Sequence, residues 1–323
     1  MTDQIKSASA LARSAAISAE RLTKSFPGIC AVDALSIDVH AGEIFGLVGP
    51  DGAGKTTTLR MLAGIMPPDS GQATVAGYNV VRDPEGAKHA LSYMPQRFGL
   101  YEDLTVDENI RFYADLFGVG KADRTARSKE LLEAAGMSEF RARMAGKLSG
   151  GMKQKLGLVC ALIHRPKVIL LDEPTTGVDP VSRRDFWRIL YELVAEGVAI
   201  LTSTAYLDEA ERCHRVALMH QGKLLFCDTP ASLKSLMRKG VLSVTSVEPR
   251  PLRTELEHAD GISSLVLTGE GVHVVVDDAA KRIPEFEARL KNAGVAFDAI
   301  QQVAPTIEDL FVDAVEGGGE RHA

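Results

Sequence analysis

The stretch GPDGAGKTT, Gly49 to Thr57, decides the fold. It fits the pattern G-x-x-x-x-G-K-[ST] and stands directly after the apolar run EIFGLVG (Glu43 to Gly49) and before a helical stretch. Strand, glycine loop and helix in that order are the context in which the pattern cradles phosphate. Glycine is needed because successive N–H groups must turn inward around phosphate oxygens, in conformations that a side chain penalises. The helix N-terminus adds favourable potential for an anion. In this frame Gly49, Pro50, Asp51, Gly52, Ala53 and Gly54 form the cradle for a nucleotide's phosphates. Lys55 reaches the β- and γ-phosphates, the Thr56 hydroxyl holds Mg2+, and Thr57 contacts an inner phosphate.

Further along, VILLDEP (from Val168) ends an apolar run on Asp172 and Glu173. Two adjacent carboxylates closing a buried strand are hard to explain by packing. Phosphoryl transfer explains both: Asp172 holds the magnesium shell through water, and Glu173 orients or deprotonates the attacking water.

The chain from Ile17 to about Leu236 alternates short apolar runs with helical stretches, as an α/β domain built from strand and crossover-helix units does. Thr105 and Glu108 form a capping box opening VDENIRFYADLF. Ser149 opens GGMKQKLGLVCALI, which puts Met152, Leu156, Val159 and Ile163 on one core face. Thr229 and Pro230 start a short helix, and beyond Gly240 the composition changes. Expected domains are therefore a loose tail over 1–16, a nucleotide-binding domain over 17–239, and a small C-terminal α+β domain over 240–323. In the last, strand VLSVTSV, a helix near LRTELEHA, strands turning at Thr268 to Gly271, a helix from Pro284 to Ala293 and strand VAFDAIQQV suggest a split βαβ unit. A final helix capped by Thr306 runs through IEDLFVDAV.

Composition narrows the function. With 37 Lys and Arg against 43 Asp and Glu, the formal net charge is -6, which gives no reason to expect a chain that grips nucleic acid through a concentrated positive field, although it leaves room for a local basic patch. Four cysteines (Cys30, Cys160, Cys213 and Cys227) lie far apart, with no CxxC pair, so neither a zinc knuckle nor a disulfide scaffold is expected and a reducing cytosol fits. No apolar run approaches the roughly 20 residues of a membrane helix, so any membrane path belongs to another chain.

LSGGMKQ, Leu148 to Gln154, lies about twenty residues before VILLDEP, and it resembles the signature of the ATP-binding cassette (ABC) proteins. YMPQ then resembles the glutamine-loop motif, with Gln96 linked to magnesium. GVDP puts Asp179 at the dimer-contact loop, and Phe26 falls where an aromatic stacks on adenine. The resemblance covers about residues 17 to 240. It implies a P-loop cassette with a parallel-sheet core, an antiparallel β subdomain and a helical signature subdomain. It also implies that Ser149, Gly150 and Gly151 serve the ATP of a second cassette, so that two cassettes sandwich two nucleotides and drive attached polytopic membrane permease subunits. FGLYEDLTVDEN, LSGGMKQKLGL and PTIEDLFVDAV further resemble multidrug and antibiotic export cassettes, the amino-terminal half of tandem exporters among them. A partner cassette made separately, and a location on the cytoplasmic face of the cell membrane, are the corresponding expectations.

One position departs from the family. Where a segment such as T-H-Y-M-D-E-A-E carries a histidine on the γ-phosphate, this chain reads Thr204, Ala205, Tyr206, Leu207. A methyl group donates no hydrogen bond and shares no developing charge. Two expectations stand side by side: a heterodimer with one weak site here and one active site on the partner, or a tolerated substitution in which Glu173 suffices. Other readings are a soluble nucleotide switch on ribosomes or DNA, which calls for a basic linker or coiled-coil insertion that the sequence lacks, and a regulatory subunit with little hydrolysis of its own. His164, at the end of the signature helix, is expected to act as a partner of its C-terminal dipole.

Overall fold

The computed structural model describes residues 15–97 and 99–316. Most of the expected tail, and Phe98 of FGLYEDLTVDEN, lie outside the described residues; Ala15 and Ala16 are not tail but the start of the first strand. In chain order the elements are β1 (Ala15–Phe26), β2 (Ile29–His40), β3 (Ile44–Val48), α1 (Lys55–Leu62), β4 (Ser70–Val75), β5 (Tyr78–Asn79), α2 (Pro84–Ala90), β6 (Leu91–Met94), α3 (Val106–Leu116), α4 (Lys121–Ala134) and α5 (Gly150–Leu162). There follow β7 (Val168–Asp172), α6 (Pro180–Ala195), β8 (Ala199–Thr204), α7 (Leu207–Ala210), β9 (Arg215–His220), β10 (Lys223–Asp228), α8 (Pro230–Ser235), β11 (Gly240–Thr245), α9 (Pro249–Leu256), β12 (Ile262–Leu267), β13 (Gly271–Val276), α10 (Ala279–Ala293), β14 (Ala299–Val303) and α11 (Ile307–Glu316).

Two compact units form. One holds the described residues up to Tyr206 together with Cys213–Leu225; the other holds Leu207–Arg212 and the chain from Phe226 onward. The change of composition near Lys239 therefore falls inside the second unit.

The first unit is built on a sheet of order β10-β9-β3-β8-β7-β6, in which β3, β8, β7 and β6 pair in parallel and β9 runs parallel to β3. Strands β3, β7 and β8 are buried along their whole length, as apolar runs covered on both faces must be. A second sheet, β2-β1-β4-β5, is antiparallel. Helices α3, α4 and α5 form the helical part, with the Thr105 capping box present in full and the Ser149 hydroxyl capping α5. On α5, Leu156, Val159 and the following Ile163 are buried as expected, whereas Met152 is half-buried at the exposed first turn.

The second unit runs β-α-β-β-α-β from β11 to β14, with sheet order β12-β13-β11-β14 and every pairing antiparallel. This is the split βαβ arrangement. Leu242, Val244, Val272, Val274 and Val276 pack with Leu252 and Leu256 of α9 and Phe286 and Leu290 of α10. Helix α10 begins earlier than its proline suggests: Asp278 caps it by accepting from Ala280 and Lys281 N–H, and Pro284 lies within. The aspartate supplies the acceptor that the first turn needs, while Pro284 forfeits one intrahelical bond further in.

Candidate functional site

Chain direction builds the site. Strand β3 delivers Gly49 at its C-terminal end, and the loop to Gly54 turns straight into α1. A Cβ on Gly49 would run into the carbonyl oxygen of Met219. At Gly54 the backbone is left-handed (φ 103°) and a Cβ would meet the Ala31 carbonyl, so glycine is required on both counts. The loop is braced by hydrogen bonds: Gly49 N–H donates to Thr204 O, Ala53 N–H to Pro50 O, and Gly222 N–H to Ala53 O. No side chain caps α1. The N–H groups of its first turn thus have no intrahelical acceptor and face the loop with the positive end of the helix dipole.

Lys55 is buried, 4% exposed. Its ammonium donates to Gly49 O at 2.7 Å and Pro50 O at 3.1 Å and lies 3.3 Å from Glu173 Oε1. Strand β7, paired with β8, brings Asp172 to the same place, and the Asp172 carboxylate accepts from Thr56 Oγ1 (3.0 Å), Ser203 Oγ (2.7 Å) and Tyr93 OH (3.2 Å). Burial, reinforced by the Asp172 charge, pushes the Tyr93 phenol up to about 12, so it stays a donor. Glu173 Oε2 accepts from Gln96 Nε2 at 3.0 Å and from Thr176 Oγ1 at 3.4 Å. Glu173 itself has φ 49°, a left-handed conformation uncommon outside glycine. Such strain costs about 1–3 kcal/mol and persists only where surroundings over-determine it.

Lys55, Thr56, Gln96, Asp172 and Glu173 are therefore brought together with Gly49 and Pro50. Asp51 and Gly52 lie exposed on the loop, Ala53 is buried beneath it, and Thr57 is half-buried on α1. The signature residues gather with a different set. Ser149 Oγ accepts from Met152 N–H at 3.3 Å, and a Cβ on Gly151 would overlap the Ser182 side chain. Asp179 caps α6 by accepting from Val181 and Ser182 N–H, and donation from Ser182 holds its carboxyl below the usual range. Phe26 ends β1 and is 41% exposed. Ala205 is exposed just past β8. Nearby His214 is engaged elsewhere, its Nδ1 accepting from Ile44 N–H at 3.0 Å.

His164 does not serve the helix dipole. It stacks on Phe117 with ring centroids 3.7 Å apart and planes 4° from parallel, and its Nε2 lies 3.2 Å from the Leu91 carbonyl, which only an N–H can satisfy. Burial lowers its pKa although the Leu91 bond opposes it, which disfavours the charged form that a helix end would attract.

Three site residues escaped the sequence reading: Thr176, Tyr93 and Ser203. A signal for the last was present, since TST (Thr202 to Thr204) puts polar side chains in a strand buried throughout, and such groups need partners.

The donor set suits a hard cation. A hydroxyl, an amide and carboxylates supply oxygen, the ligand atom that a hard cation takes.

The sequence matches the ABC transporter family over residues 32–176. Over 302 residues it is 35% identical to the daunorubicin resistance ATP-binding protein DrrA2 of Streptomyces coeruleorubidus, an alignment covering 92% of this chain and 94% of that one. The chain belongs to the ABC transporter family. It is also 46% identical over 311 residues to the probable multidrug ABC transporter ATP-binding protein YbhF of Escherichia coli K12; that match takes in 94% of this chain but 53% of YbhF, so the chain spans about half the length of that relative. Among solved structures, an ATP-binding subunit of an ABC transporter superposes with a TM-score of 0.63 at 30% identity, over 68% of this chain and 92% of that one. The ABC cassette fold expected from the signature motif is thereby present.

Proposed function

We propose that this chain binds and hydrolyses ATP as the energy-coupling subunit of an export transporter, working as one of two cassettes. The observation that carries the proposal is the convergence of Lys55, Thr56, Asp172 and Glu173 on a glycine loop at an uncapped helix N-terminus. Multidrug and daunorubicin resistance appear in the names of its relatives, which favours export of drug-like compounds.

In this reading Gly49 to Thr57 cradle the phosphates. Thr56, Asp172 and Gln96 hold Mg2+, which when bound supplies positive charge against the phosphate oxygens. A phosphate anion competes with Glu173 for the Lys55 ammonium, and its arrival releases the Glu173 carboxylate to orient water. Phe26 stacks on adenine. Ser149, Gly150 and Gly151 complete the nucleotide site of the second cassette, and Asp179 lies at the contact between the two. Residues 17–239 then act as the nucleotide-binding domain and 240–323 as an accessory domain.

No helix among the described residues is long and apolar enough to cross a membrane, so we assign the transport path to polytopic permease subunits. Exposed Tyr101, Phe112, Leu116 and Met144 around α3 give such a partner an apolar surface, with the Tyr101 and Phe112 rings edge-on at 4.6 Å. That partner places the chain at the inner face of the cell membrane.

Ala205 favours an asymmetric pair, in which this site turns over slowly and the signature helix completes a faster site on the partner. Steady-state ATP hydrolysis by the chain alone, and with its second cassette and permease, tests both points. A nearly inactive lone chain and an active mixture support the asymmetric pair; a fast lone chain silenced by Glu173→Gln supports a symmetric one.

A further inference from the structure

We infer that Ser203 is the positioning residue that sets both acidic side chains of the site through one hydroxyl. Ser203 is fully buried in β8 and lies opposite Asp172 in register. It donates its hydroxyl proton to Asp172 Oδ1 at 2.7 Å, and the same oxygen accepts the Glu173 N–H at 3.1 Å. The Ser203 carbonyl shares that N–H at 3.2 Å. A serine hydroxyl has one proton and two lone pairs, so both bonds form together without competition.

The second bond matters because of the backbone it holds. Glu173 is left-handed, with φ 49°, and a residue with a Cβ leaves that conformation unless anchored. With the hydroxyl gone, only the Ser203 carbonyl at 3.2 Å would still accept that N–H, so the anchor would weaken and the Glu173 carboxylate would be held less firmly against Lys55 Nζ at 3.3 Å and Gln96 Nε2 at 3.0 Å. The first bond fixes which Asp172 oxygen faces Thr56: Oδ1 accepts from both Ser203 and Thr56, while Tyr93 holds Oδ2. An ordinary packing residue in a buried strand needs none of this, and alanine would fill the backbone position equally well. Ser203 touches neither phosphate nor water in this account; it acts through the two acids.

The functional part of this inference rests on the ATP and magnesium reading above. It is tested on the full chain with Ser203→Ala and Ser203→Thr, by titrating a fluorescent ATP analogue with EDTA and with Mg2+, by hydrogen–deuterium exchange of the peptide holding Glu173, and by kcat and KM for ATP. Expected for Ser203→Ala are an unchanged affinity in EDTA, a loss of about tenfold or more in the affinity gained on adding Mg2+, as befits a lost hydrogen bond to a charged group, faster exchange at Glu173, and a fall in kcat accompanied by a rise in KM for ATP in Mg2+. Ser203→Thr, which keeps the hydroxyl, restores all four. Wild-type Mg2+ dependence and exchange in Ser203→Ala overturn the inference, as does a uniform loss of affinity with and without Mg2+ that tracks a lower Tm. Should Ser203→Ala not fold, Ser203→Thr and Ser203→Val, alike in shape and different in the hydroxyl, carry the comparison. If the wild type gains no affinity from Mg2+, the magnesium reading falls, and exchange at Glu173 alone decides whether Ser203 holds that amide.

Discussion

Lys55 Nζ lies 3.3 Å from Glu173 Oε1, so the cation of the glycine loop and the acid beyond β7 neutralise one another across the site. Any anion that enters the loop must separate them. Glu173→Gln removes the competing charge and the candidate base together. It is expected to cut kcat by about 10²–10⁴, the usual worth of a positioned general base, while nucleotide affinity holds or rises. Single-turnover hydrolysis beside equilibrium binding checks this, and weaker binding would count against the competition between Glu173 and phosphate.

On the reading proposed above, Ala205→His would supply a donor for the γ-phosphate. With one such contact worth about 10²–10³ in rate, turnover of the isolated chain should rise by about tenfold or more. An unchanged rate means that Glu173 suffices and that the asymmetric pair is wrong.

Gly54→Ala should damage both binding and stability. Its φ of 103° is unfavourable to any Cβ, and the new methyl overlaps the Ala31 carbonyl. A left-handed residue costs about 1–2 kcal/mol before the overlap is counted, so a fall in Tm of about 5 °C or more is expected, with nucleotide binding lost. Thermal melts with and without ATP measure both effects.

The second unit carries a pH dependence of its own. His273 Nδ1 lies 3.2 Å from Asp309 Oδ2, and that bond raises the histidine pKa although burial opposes it. Burial works to raise the Asp309 carboxyl, but donation from His273 and Thr306 outweighs it and leaves the group lowered. A raised histidine contributes stability that is complete below its unfolded pKa of about 6.5 and is lost as pH rises through the higher folded value. The lowered Asp309 contributes above about pH 4 and is lost as pH falls further. Chemical denaturation from pH 5 to 9 should show stability declining above about pH 6.5, and His273→Gln should flatten that limb. Equal slopes in the two proteins would refute the assignment.

What could be read from the sequence is what lies close along the chain. Strand, loop and helix around GPDGAGKTT are contiguous, and so are the Thr105 and Ser149 caps; local rules describe them fully. Tyr93 and Ser203 reach Asp172 from 79 and 31 residues away, and only the parallel pairing of β6, β7 and β8 brings them together. Pro284 misled for a related reason: proline is common at a helix start, but Asp278 had already supplied the cap. Likewise Leu207–Arg212 join the second unit through packing of α7 against α11, which no local pattern announces.

Asp172 is held by the hydroxyl groups of Thr56, Tyr93 and Ser203. Hydroxyls order a carboxylate without cancelling its charge, whereas an ammonium or guanidinium would do both. The acid is thus kept in place with its negative charge uncancelled, as the proposed magnesium reading requires. Because a hydroxyl can turn about its C–O bond to trade one acceptor for another, taking up and giving back that ion requires rotations rather than the rupture of an ion pair. Such an arrangement lends itself to a cycle that must run forward many times without storing the cation permanently.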